Sequence, residues 1–267
     1  MIIKPKQNLN KEQPSLSLPL EVSTPSDSLS DYAILLYGRE KIGKTTFAAQ
    51  FPDAFFLMFE PGGKSLSIYQ KYVNNWAEFI GYISLLKKER RFKTIVVDTV
   101  DISYKMCYEH VCKKLGIDHP SEEGWSKAWN MIRDEFQKHV AALLKLGRGV
   151  ICISHATERE IKKRYGEVEH RIIPTMTKQA RDTLEPMVDI WAYMEYDENG
   201  GRHCVIRGDQ MISAGHRLQE HFKGVNQIPM GKSPHDAYIN FMDAFHNNTQ
   251  HWAPTMSGKV KIKRRSI

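Results

Sequence analysis

A chain of 267 residues, 41% hydrophobic and 26% charged, has enough apolar side chain to bury one α/β core and needs no second domain. No apolar run approaches the ~20 residues of a membrane-spanning helix and no signal-peptide core opens the chain, so a cytoplasmic protein without a membrane partner is expected. The net charge of +7 favours a polyanionic partner. The cysteines Cys107, Cys112, Cys152 and Cys204 lack the two-residue spacing of a zinc site and read as reduced structural thiols.

Residues 1–29 mix Pro, Ser, Leu and Asn without sustained periodicity and read as a flexible arm. The apolar run Ala33 to Tyr37 is a buried strand, and it leads into Gly38-Arg39-Glu40-Lys41-Ile42-Gly43-Lys44-Thr45-Thr46. That spacing is a phosphate-binding loop: backbone N–H groups turn inward around a β-phosphate, Lys44 reaches the β and γ oxygens, and the Thr45 hydroxyl ligates Mg²⁺. ATP and Mg²⁺ are therefore the expected cofactors. Ala54 to Phe59 is a second apolar strand, ending in Glu60. Apolar spacing predicts a helix over 76–88, and Thr94 to Asp98 is a third strand ending in a carboxylate.

A helix from about Val100 to Leu115 should stop at Gly116. Trp125, Trp129, Ile132, Phe136, Val140, Leu143 and Leu144 recur every three or four residues, giving an amphipathic helix. Val150 to His155 is the next strand. Ile190 to Tyr196 and His203 to Arg207, joined by the turn Asp197 to Gly201, read as an antiparallel hairpin closing the sheet. Apolar strands separated by helices mean a mostly parallel sheet covered on both faces. An ATPase domain is expected over 30–250, followed by a basic tail, 251–267, whose last nine residues carry five basic side chains. The pattern beyond Gly208 supports no assignment.

Three strand ends carry candidate chemistry. Asp98 would hold Mg²⁺ through water, or merely cap the helix behind it. Glu60 would orient or deprotonate the attacking water, or be an ordinary loop acid. His155 would donate to a γ-phosphate and sense its loss, or be structural. After His155 comes a stretch with Lys162, Lys163, Arg164 and Tyr165 before Gly166; basic residues interleaved with Tyr suit a loop or hairpin that grips phosphates and stacks a base, and equally suit a solvated hairpin.

Taken together, Gly38 to Thr46, Phe59-Glu60-Pro61-Gly62-Gly63, Val96-Val97-Asp98-Thr99, Cys112 to Ile117 and Gly149 to His155 resemble the RecA-like ATPases, in particular the phage-encoded RecA-core proteins that include single-strand annealing proteins of the Sak group. The resemblance covers roughly residues 31–217. It implies a RecA-like P-loop core, with Glu60 as catalytic Glu beside Lys44, and His155 in the place of the sensor Gln of RecA. The stretch after His155 would correspond to the second DNA-binding loop, and Asp118 to Lys127, with Trp125 and Lys127, to the first; Trp125 equally suits the start of the helix stripe.

The same resemblance implies a basic residue acting on the neighbouring subunit's nucleotide, with Lys178, Arg181, Arg207 and Arg217 as candidates. The implied partners are single-stranded DNA, further copies of the chain in a ring or filament, and a single-stranded DNA-binding protein, in the host cytoplasm for a phage-encoded chain. Two other functions fit the motifs: a small-molecule kinase using the Lys162-Lys163-Arg164 stretch as a lid, and a scaffold whose assembly nucleotide gates without hydrolysis.

Overall fold

The computed structural model describes residues 18–252 except 123, 125, 163–165 and 167, with the backbone alone at Lys162. In chain order the elements are β1 (Ala33–Gly38), α1 (Lys44–Ala48), β2 (Ala54–Met58), β3 (Tyr69–Tyr72), α2 (Trp76–Leu86), β4 (Thr94–Asp98), α3 (Val100–Leu115) and α4 (Lys127–Leu144). They continue with β5 (Gly149–Lys162), β6 (Val168–Pro174), α5 (Lys178–Leu184), β7 (Ile190–Tyr196), β8 (Arg202–Val205), β9 (Gly215–His216), β10 (Gln227–Pro229) and α6 (Pro234–Phe245).

Among the described residues the strands run in the order β10-β8-β7-β1-β5-β4-β2-β3, with β6 paired to β5 and β9 to β7. The centre, β7-β1-β5-β4-β2-β3, is parallel, and β8, β9 and β10 add antiparallel pairs on the C-terminal side. This is the expected α/β architecture: a mostly parallel sheet flanked by helices, with an antiparallel hairpin at the C-terminal side.

Alternation along the central strands explains the two helical layers. Leu35, Tyr37, Ile95, Val97, Val150 and Cys152 point to one face, where they meet α2, α3, α4 and α5 through residues such as Trp76, Tyr104, Phe136 and Leu184. Ile34, Leu36, Phe56, Val96, Ile151 and Ile153 point to the other, covered by Phe47 of α1 and by Phe241 and Phe245 of α6. A strand buried on both faces must be apolar at every position, which is why these strands read as unbroken runs.

Local signals set several boundaries. The side chain of Asn75 accepts the Glu78 N–H to start α2. Gly116 ends α3 with φ 69. α2 stops at Leu86, two residues short of the predicted end, and α4 starts at Lys127, so the predicted stripe enters the helix at Trp129. The larger difference is β5: predicted to end at His155, it runs on to Lys162 and pairs antiparallel with β6 from Ala156↔Pro174 to Lys162↔Val168. Among the described residues no helix is long and apolar enough to cross a membrane.

Arg148 joins the layers just before β5. It is 8% exposed, and its guanidinium donates to the carbonyls of Phe92 (3.0 Å), Leu86 (3.0 Å) and Glu89 (2.9 Å), gathering the end of α2 and the approach to β4. Replacing it removes three charge-assisted hydrogen bonds and leaves buried carbonyls without donors. Arg148→Met should lower the unfolding free energy by about 2–4 kcal/mol in a urea titration; an unchanged midpoint would show that water replaces the guanidinium at no cost.

Candidate active site

The site lies at the carboxyl ends of β1, β4 and β5, where the parallel strands deliver their last residues to one edge. Gly38 ends β1 beside Met194 of β7, and a Cβ built there would stand 2.6 Å from the Met194 carbonyl oxygen. The loop then turns outward: Arg39, Glu40 and Lys41 are exposed, while Ile42 is buried and anchors the loop in the second core. Gly43, with φ 106, turns the chain into α1.

Lys44 is 5% exposed. Its Nζ donates to the carbonyls of Gly38 (2.8 Å) and Arg39 (2.9 Å), so the loop curls around its own lysine. Burial pulls the Lys44 pKa down, opposed by the carboxylates of Asp98 and Glu60. The Thr45 hydroxyl donates to Asp98 Oδ2 at 2.7 Å. Burial also pushes the Asp98 carboxyl above its ordinary range, with the Thr45 hydrogen bond and Lys44 pulling the other way.

Glu60 and His155 meet across the mouth of the site. Glu60 Oε1 lies 3.2 Å from His155 Nε2, and His155 Nδ1 lies 3.5 Å from Lys44 Nζ. The acid, the imidazole and the ammonium thus form a chain over a cavity of about 400 Å³, which Thr45, Thr46 and Asp98 also line. Behind His155, Asp101 Oδ1 accepts from Ser154 Oγ (3.0 Å) and Thr175 Oγ1 (2.5 Å), and the Thr175 N–H donates to the His155 carbonyl at 3.0 Å. The root of the β5–β6 hairpin is therefore tied to the strand that carries His155.

The donor set fits a nucleotide with Mg²⁺. A loop of exposed backbone around a buried lysine suits phosphate oxygens, and a hydroxyl paired with one carboxylate suits a cation that keeps most of its waters. Among the described residues no group of three or more His, Cys, Asp or Glu is arranged for a protein-only metal centre.

The remaining predicted residues are dispersed. Lys163, Arg164, Tyr165 and Trp125 lie outside the described residues; Lys162 is described by its backbone at the end of β5, and Lys127 opens α4. Lys178 pairs with Asp182 on its own helix. Arg217 pairs with Asp189 at 3.7 Å and donates to the Pro186 carbonyl. Arg181 and Arg217 line a different cleft, with Trp191 and Asp189, and Arg207 is exposed after β8. None of these four lines the cavity at the phosphate loop.

Two residues beside the site, neither of them lining the cavity, escaped sequence reasoning. Asp101 stands three positions after Asp98, so one helical turn carries it under the same strand ends; that spacing was the available signal. Arg202 of β8 reaches Gly43, its Nη1 only 3.0 Å from where a Cβ of Gly43 would be. It sits 159 positions beyond Gly43, and no spacing announces the contact.

The sheet and its phosphate loop define a P-loop NTPase fold of the AAA type. The chain belongs to the AAA domain family, which it matches over residues 30–218. It is 27% identical over 161 residues to the SPbeta prophage-derived uncharacterized protein YorG of Bacillus subtilis (strain 168). That match covers 57% of this chain and 50% of the relative, so the chain spans half of that protein's length. Among solved structures it is similar to the KaiC-like protein PH0186 from the hyperthermophilic archaeon Pyrococcus horikoshii OT3, with TM-score 0.48 and 17% identity over 77% of this chain and 88% of that one.

The raised pKa of Asp98 has a consequence for stability. Its folded value lies above the ordinary 3.8, so the folded chain binds that proton more tightly than the unfolded chain. The stabilising difference is fully present below pH 3.8 and is lost as pH rises through the folded value. Without nucleotide at pH 7, Asp98→Asn should therefore melt above the wild type by calorimetry, with the gap narrowing as the pH is lowered toward the ordinary value. A lower melting temperature at pH 7 would mean that attraction to Lys44 outweighs burial.

Proposed function

We propose that this chain is a Mg²⁺-dependent ATPase that binds single-stranded DNA and promotes phage recombination or strand annealing. The observation that carries the reading is the continuity of β5: one strand bears His155, in contact with Glu60 and Lys44, and runs on to Lys162 at the head of the basic stretch. A change at the phosphate loop has a direct mechanical route to that stretch, because Asp101 and Thr175 clamp the hairpin root to His155. The prophage origin in the name of the Bacillus relative supports a phage setting.

In this reading the loop 38–46 and Lys44 bind the phosphates, while Thr45 and Asp98 hold Mg²⁺. Bound Mg²⁺ supplies charge neutralisation at the phosphate chain. Glu60 orients the attacking water and takes its proton. His155 senses the γ-phosphate: its Nε2 donates to Glu60 while its Nδ1 accepts from Lys44, so that the hydrogen bonding of one ring reports on both the acid and the phosphate-binding lysine. Lys162, Lys163, Arg164 and Tyr165 grip the DNA, with Trp125 and Lys127 as a second contact. One of Lys178, Arg181, Arg207 and Arg217 reaches the nucleotide of an adjoining copy in a ring or filament, which works in the cytoplasm alongside a single-stranded DNA-binding protein.

The test is ATP turnover with and without single-stranded DNA. Wild type should be stimulated by DNA, and changing Lys162, Lys163 and Arg164 together to Ala should abolish the stimulation while leaving the basal rate. Absence of both stimulation and DNA binding in the wild type would overturn the DNA reading. Glu60→Gln should cut turnover by about a hundredfold or more while nucleotide still binds; a variant that turns over normally would remove Glu60 from the chemistry.

A further inference from the structure

The hairpin of β7 and β8 touches the phosphate loop at three points. Met194 packs against Gly38. The Arg39 guanidinium lies 5.8 Å from the ring centroid of Tyr196, a cation–π contact. Arg202, directly across the ladder from Tyr196, presses its Nη1 against Gly43. The turn between them is fixed: Asp197 accepts from the backbone of Asn199 (2.9 Å) and Gly201 (2.6 Å) and pairs with His203 Nε2 (2.9 Å).

Arg148 and Arg171, also at least partly buried, donate to backbone carbonyls, whereas Arg181, in the cleft beside Trp191, leaves a buried Nη1 without a partner. Among the described residues the Arg202 guanidinium has neither a hydrogen bond nor an ion pair. A half-buried cation held by a rigid hairpin against an anion-binding loop, with its donors unused, is a preorganised site for anionic oxygen.

Sheet order says which end of the ligand it faces. In β8-β7-β1-β5-β4, Asp98 and His155 lie on one side of β1 and Arg202 on the other. The metal-holding and sensing groups therefore sit on the flank opposite Arg202. We infer that Arg202 binds the nucleotide on the flank away from the reacting phosphate, contacting the part that ADP and ATP share. The inference rests on the nucleotide-binding reading of the loop.

Equilibrium binding of fluorescent mant-ADP and mant-ATPγS to Arg202→Met, Arg202→Ala and Arg202→Lys tests it, with the melting temperature of each nucleotide-free protein recorded. Methionine keeps the packing of the alkyl stem without the charge. Arg202→Met and Arg202→Ala should weaken both nucleotides about tenfold and by the same factor, Arg202→Lys should recover most of the loss, and the melting temperature of Arg202→Met should stay at the wild-type value. Wild-type affinity in Arg202→Met would overturn the inference, as would a loss confined to mant-ATPγS or a loss that lysine does not restore at all. Failure of the wild type to bind either nucleotide would sink the reading of the loop itself, a result distinct from all of these.

Discussion

An ammonium and a carboxylate buried at the end of a sheet with two apolar faces form the constraint on which the site depends. Isolated charges in such a position are costly unless they are paired or hydrogen-bonded. Here Lys44 is held by the carbonyls of Gly38 and Arg39, and Asp98 by the Thr45 hydroxyl. These contacts force the loop to close on its lysine and draw the first turn of α1 against the end of β4. Burial acts against the charged form of each, lowering the pKa of Lys44 and raising that of Asp98.

The second consequence runs along β5. Within the parallel core, from Gly149 to His155, it pairs with β1 and β4; beyond His155 it leaves the core and pairs with β6. His155 is the residue at which one partner set ends and the other begins. It is also the residue in contact with both Glu60 and Lys44. Two hydroxyls on one Asp101 oxygen bind the returning strand to this junction, so the hairpin cannot tilt without disturbing the residues that face the cavity.

The elements legible in the sequence are those whose surroundings repeat. β1, β2, β4 and the first half of β5 are unbroken apolar runs because both faces are covered, and α3 and α4 show apolar stripes because each is covered on one face only. β3 was missed because Tyr69-Gln70-Lys71-Tyr72 is an edge strand whose residues are mostly exposed. The stretch after His155 was readable as a loop or a hairpin but not as the continuation of β5, because a hairpin standing off the core needs no apolar face, leaving Thr157 to Lys162 dominated by charge. α6 carried a readable start, the reciprocal capping of Ser233 and Asp236 with a proline between them, in a region whose remaining pattern was weak. At the site, Lys44, Thr45, Asp98, Glu60 and His155 were visible because each closes or follows an unbroken apolar run or belongs to a motif. Arg202 was invisible because a contact made across the sheet leaves no trace in local spacing.

Gly38 shows that a motif's letters do not all carry the same information. The Met194 carbonyl, 2.6 Å from a Cβ built there, excludes any side chain at this position whether or not a phosphate ever enters the loop. A descendant of this chain that had lost nucleotide altogether would keep Gly38, since the seam between β1 and β7 requires it, while Lys44 and Asp98, whose charged forms burial disfavours, would be free to drift to apolar residues. Decay of the function would thus be recorded in the two charges, and the first glycine would remain as a relic of the fold.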